Sequence, residues 1–171
     1  GNDGRLFNFT RGFRTVTYFL RIKDDPDEAG RLMPVLVRQQ NGVAEELIEG
    51  VERLDFRYVV EDAFNNSHIL TADQVQNSTG ALGAPLQCQP PPIGIDAPEP
   101  GCLWRSLRSV EVSMLVNTVE NVLSSSTDNY TYTVDGLINA SPTTPMPHGL
   151  PPEGMLRREF VASVTVRSLS R

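Results

Sequence analysis

Residues 51–60, VERLDFRYVV, place an apolar side chain at every second position: Leu54, Phe56, Tyr58 and Val60 share one side, and Arg53, Asp55 and Arg57 take the other. A period of two commits the backbone to an extended form, because successive side chains of a strand point to opposite faces. The pattern returns in Val110, Val112, Met114 and Val116, and again in Phe160, Ala162, Val164 and Val166. A fourth segment carries Val16, Tyr18, Leu20 and Ile22, with Arg14 extending that side at its start. Strands that are apolar on one side only belong to an antiparallel sheet with one buried face. RLMPVLVRQ (31–39) and NYTYTVDG (129–136) are weaker strands. Pro34 puts the first of these at a sheet edge or at its own start, since proline has no N–H for a ladder. Helix signals are few. Thr71-Ala72-Asp73-Gln74-Val75 reads as one short helix, with Thr71 and Gln74 forming a capping box. Leu103–Leu107 suits another turn, and GVAEELIEG (42–50) could begin helically before Gly50 closes it. The expected fold class is α+β, dominated by antiparallel β-sheet.

The chain of 171 residues is expected to form a single domain, large enough to hide about two-thirds of its unfolded surface. Eleven of its 13 prolines fall in two stretches, six in 85–100 and five in 142–152. Proline fits neither a helix interior nor a central strand, so both stretches read as loops. No apolar run approaches the roughly 18 residues of a membrane-spanning helix, and no signal peptide pattern is present. The net charge of −6 is unevenly spread. Residues 1–23 hold five basic groups against Asp3, residues 24–99 hold fourteen acids against four arginines, and residues 100–171 hold six of each. An acidic middle with no basic stripe disfavours nucleic acid as a partner.

Cys88 and Cys102 are the only cysteines and bracket the first proline-rich loop. A single pair across such a loop reads as a disulfide, which implies an oxidising compartment; two free thiols or a metal pair are the rival readings. Zinc would need further close ligands, and His68 and His148 lie in loop-like sequence far away. Neither histidine has a partner at a catalytic spacing, and there is no nucleophile elbow or phosphate-binding glycine loop. Asp24-Asp25-Pro26-Asp27-Glu28 gathers carboxylates but lacks calcium-loop spacing, so it reads as a solvated turn. Asp55 and Glu61 are the carboxylates nearest to a glycosidase pair, and nothing sets them across a cleft. The residues alone therefore describe an extracytoplasmic β-rich domain with no enzymatic centre and no cofactor.

Three stretches carry more than pattern. They are LIEGVERLDFRY (47–58), then TADQV (71–75), Trp104 and RSVEVSMLV (108–116), and finally LRREFVASVTVR (156–167). In order and chemistry they resemble the PilW family of type IV pilus minor pilins. The related J-type minor pseudopilins of type II secretion share the first and last elements and are the close alternative; an autonomous extracellular binding domain is the more distant one. The resemblance implies a pilin-like globular head. It implies a non-enzymatic structural subunit that takes part in initiating pilus assembly through contacts with other minor pilins. The location implied is the periplasmic face of the inner membrane and the filament. Family members begin with a long hydrophobic helix, and this chain is expected to be a head without it, with variable loops at 85–102 and 139–154. Contact with a membrane would then run only through that helix. Expected partner contacts are the basic cluster at Arg11 and Arg14 and the loop carrying Pro145 and Pro147. If the helix normally covers the sheet, Val16, Tyr18, Leu54, Phe56 and Val112 should be partly uncovered.

Overall fold

The computed structural model describes residues 15–90, 100–122, 129–141, 150 and 154–166. Strands β1 (Val16–Asp24), β2 (Leu32–Gln40) and β3 (Val43–Glu49) form one antiparallel sheet with β2 in the middle. Strands β4 (Val51–Glu61), β5 (Ser67–Leu70), β6 (Leu107–Asn117) and β9 (Arg157–Thr165) form a second, in the order β5-β4-β6-β9. Strands β7 (Tyr130–Tyr132) and β8 (Leu137–Ala140) make a separate hairpin. Helix α1 (Ala72–Gln76) carries the expected capping box: Gln74 N–H donates to Thr71 Oγ1, and Thr71 N–H donates to Gln74 Oε1. Residues Cys102–Ser106 form a 3-10 turn. The fold is therefore α+β with antiparallel sheet dominant, as the alternation predicts.

Two local expectations are corrected. Residues 42–50 do not start a helix. Asn41 and Gly42 both adopt positive φ, 51° and 86°, the conformation of a two-residue hairpin turn, and β3 follows directly. Strand pairing outweighs the modest helical preference of Ala44, Glu45 and Glu46. Pro34 lies near the start of β2, as its third residue, but β2 is the central strand and not an edge. Gly50 makes this possible. Its N–H donates to Pro34 O at 2.7 Å, while its C=O, which Pro34 has no N–H to meet, accepts from Asn117 N at 2.8 Å. The residue that ends the first sheet thus joins it to the second.

Burial follows from what covers each side of the second sheet. Met114 and Leu115 are adjacent and so point to opposite faces. Leu115 is buried with Tyr130 and Tyr132 beneath the β7–β8 hairpin. Toward the β5 end, Val60, Leu70, Val75 and Leu103 make a second buried cluster under α1 and the 3-10 turn, with Tyr58 and Trp104 packed against it. In the first sheet Val35 and Val37 are fully buried, while Val16 and Tyr18 of β1 are 42% and 48% exposed.

Candidate functional site

The two sequence segments richest in motif residues meet in the interior. A register shift between Val51 and Arg53 turns Glu52 inward. Arg157, at the start of β9, donates from Nε to both Glu52 carboxylate oxygens at 3.1 and 2.9 Å, and from Nη2 to Oε1 at 2.9 Å. Both side chains are completely buried. Asn117 Nδ2 adds a fourth hydrogen bond to Glu52 at 2.7 Å. A buried charge is tolerated when it is paired and hydrogen-bonded in this way. Gly50 sits beside the pair at φ 82°, and a Cβ there would lie 2.6 Å from Asn117 O. Glycine is required here twice over, by the backbone angle and by the close approach.

A second polar cluster fixes the β7–β8 hairpin. The buried Tyr132 hydroxyl donates to Asp55 Oδ2 at 2.5 Å, and Ser113 O lies 3.3 Å from it. Burial and the Asp55 carboxylate both push the Tyr132 phenol far above its usual range, so it stays protonated. The Arg53 guanidinium lies 4.7 Å from the centre of the Tyr132 ring and pairs with Asp135. Glu159 accepts from Thr133 N and Oγ1 at 2.9 and 2.8 Å, and Arg57 donates to Val134 O at 3.0 Å. A shallow pocket of about 280 Å³ opens beside this cluster, lined by Arg57, Ile69, Glu111, Thr133 and Val134.

Cys88 and Cys102 are joined as a disulfide, with Cα atoms 5.9 Å apart. The bridge holds the far end of the proline-rich loop against α1. Gly101 N–H donates to Gln76 O, Trp104 Nε1 donates to Gln76 Oε1, and the Trp104 ring stands edge-on to Tyr58 at 4.8 Å. Of the expected partner contacts, Arg11, Arg14, Pro145 and Pro147 lie outside the described residues, as does His148.

Several candidate groups turn out to be engaged internally. His68 is not a loop residue; it sits in β5, with Nε2 2.9 Å from Asp62 Oδ2. The buried Asp62 also accepts from Phe64 N, Asn66 N and Asn66 Nδ2. His68 and these further donors hold the Asp62 carboxyl well below the usual carboxylate range. Asp25 is likewise buried, not solvated. It accepts from Asp27 N and from Arg31, and Arg31 also pairs with Glu28. Arginine 31 thus supplies the cation for this acidic turn, and no group able to hold a metal ion occurs among the described residues. Asp55 accepts from the Tyr132 hydroxyl, and Glu61 pairs with Arg108.

What remains open is one face of the second sheet. Register places Leu54, Met114 and Phe160 in one row, and Phe56, Val112 and Ala162 in the next. Phe56 is 36% exposed, Phe160 55% and Val164 57%, while Leu54, Val112 and Met114 are half-buried. An apolar face of this breadth on a sheet is ordinarily covered by another element.

The model of one protein family, the type IV pilus-assembly protein W (PilW), matches residues 17–168. The chain belongs to the PilW family. Membership gives it a role in type IV pilus assembly, and the matched span includes the Glu52–Arg157 pair, the disulfide and the open apolar face. No curated protein and no solved structure matches the chain. Among the described residues no helix is long and apolar enough to cross a membrane.

Proposed function

We propose that the chain is the head of a minor pilin, a non-enzymatic structural subunit that joins other minor pilins to initiate the filament. In this reading an apolar helix lies along the open face formed by Leu54, Phe56, Val112, Met114 and Phe160. The exposure of that face is the observation that carries the proposal. Burying one aromatic side chain there would contribute roughly 1.5–3 kcal/mol, so a helix spanning both rows would be held firmly. The Cys88–Cys102 disulfide suits the periplasmic side of the inner membrane and the filament beyond it.

The test is to replace Phe56 and Phe160 together by serine in the full-length gene of a piliated host. Phe160 is 55% exposed and Phe56 36%, so the purified variant should lose some thermal stability and remain folded. Surface pili should fall to the level of the gene deletion. Wild-type piliation with the variant present at normal abundance would refute the reading. A dye that reports exposed apolar surface should also stain the wild-type chain and stain the double variant less.

A further inference from the structure

The open edges of the two sheets are not alike. Strand β1 carries Arg21 and Lys23, which pair with Glu46, and Lys23 also pairs with Glu49, so both edges of the first sheet are charged. Strand β5, at one edge of the second sheet, is only four residues long. Charge and shortness are two of the usual devices that stop sheet edges from pairing with other chains. Strand β9, at the other edge, has neither from Phe160 onward. It pairs with β6 without a register shift from Arg157 to Thr165, and it has no proline, no bulge and no charge between Phe160 and Val166. Phe160, Val161 and Val164 are each more than half exposed, on both sides of the strand. Among the described residues no strand pairs with its outer edge.

Backbone polarity identifies which groups are unpaired. Val166 N–H donates inward to Arg108 O. Antiparallel hydrogen bonding alternates along a strand, so Val164 and Ala162 also face β6, while Val161, Ser163 and Thr165 turn their N–H and C=O outward.

We infer that β9 pairs edge to edge with β9 of a second copy of this chain, antiparallel and centred on Ser163. In that register Val161 lies opposite Thr165 and Ser163 opposite itself, so every outward backbone group of these three residues meets a counterpart. Phe160 then lies opposite Val166 and Ala162 opposite Val164. These are apolar and β-branched pairs of the kind that stabilise a sheet, with no like charges opposed. The contact is isologous, as a two-fold dimer requires. A single strand edge buries less than the ~1,200 Å² of a standard interface, so the dimer is weak, with dissociation in the micromolar range or above. The inference goes beyond the pilus reading and stands without it, because it rests on the edge and not on the open face.

The test is light scattering and sedimentation of the purified chain from about 1 μM to about 1 mM, a range that spans the affinity expected from an interface this small. The average mass should rise from 18.9 kDa toward twice that value. Ser163→Pro removes an outward N–H that β6 does not use, and it should weaken dimerisation at least tenfold. Ser163→Lys and Ser163→Asp each place like charges across the two-fold axis and should be monomeric alone. Mixed together they should form a heterodimer, an outcome that a folding defect would not produce. A wild-type chain that stays monomeric throughout the range would overturn the proposal. So would a dimer indifferent to all three substitutions, or one not restored by the Lys and Asp mixture.

Discussion

Glu52→Gln is the sharpest single perturbation of this fold. It keeps the shape of the side chain and an oxygen for Asn117 Nδ2, and it removes only the charge. The Arg157 guanidinium then loses the Glu52 carboxylate that accepts three of its hydrogen bonds, in a place where neither side chain of the native pair has any exposed surface. Breaking a buried pair from one side costs about 3–5 kcal/mol, most of it the desolvation of the remaining charge. A domain of this size loses about 2–4 °C of melting temperature per kcal/mol, so the expected fall is roughly 6–20 °C. Urea and thermal unfolding followed by circular dichroism would measure it. The comparison that tests the reasoning is Glu52→Leu with Arg157→Met, which removes both charges and keeps the volume. That double variant should recover most of the loss, because an apolar pair of similar size is often as stable as the ionic one. A cost for Glu52→Gln below about 1 kcal/mol would refute the reading, since that is the worth of an exposed pair. A double variant as unstable as the single one would show that packing and not charge governs the site.

Gly50→Ala should cost more than the roughly 1 kcal/mol of placing a non-glycine residue in left-handed backbone. The new Cβ must also push Asn117 away, and the variant's unfolding midpoint would register both effects. Reducing the Cys88–Cys102 bridge should destabilise the chain by on the order of 3 kcal/mol or less, because the prolines already stiffen the open loop; unfolding with and without reductant measures it. Asp62 sets part of the acid limit. Its folded carboxyl titrates below the usual range, so its contribution is complete above the unfolded value near pH 4 and is lost as pH falls toward the folded one. Asp62→Asn should therefore lower stability at neutral pH and flatten its decline below about pH 4, as read from unfolding at a series of pH values.

The strands of the second sheet were legible because apolar residues recur at every second position of residues 54–60, 110–116 and 160–166, on the side that includes the open face. The helix at residues 72–76 was legible from its capping box, a bond between side chain and backbone made within four residues. By contrast, β5 and β8 are four residues long and hold too few positions to show a period. The helical preference of Ala44, Glu45 and Glu46 masked the turn at Asn41-Gly42. The roles of Glu52 and Arg157 could not be read at all. Each looks like any other charge in a polar stretch, and only a register shift in β4 turns Glu52 toward a residue 105 positions away in the chain.

The amino-acid sequence by itself determined the extended backbone, the antiparallel class, the cap of α1 and the family, because all of these are written in neighbouring residues or in their order. Tertiary structure alone decided that Pro34 lies in a central strand, that Gly50 links the two sheets, that Arg31 pairs with Asp25 and Glu28 of the acidic turn and that one apolar face stays open. Those outcomes depend on which distant segments meet, and pairing between distant segments is set by the balance of burial, charge and hydrogen bonding in the assembled fold.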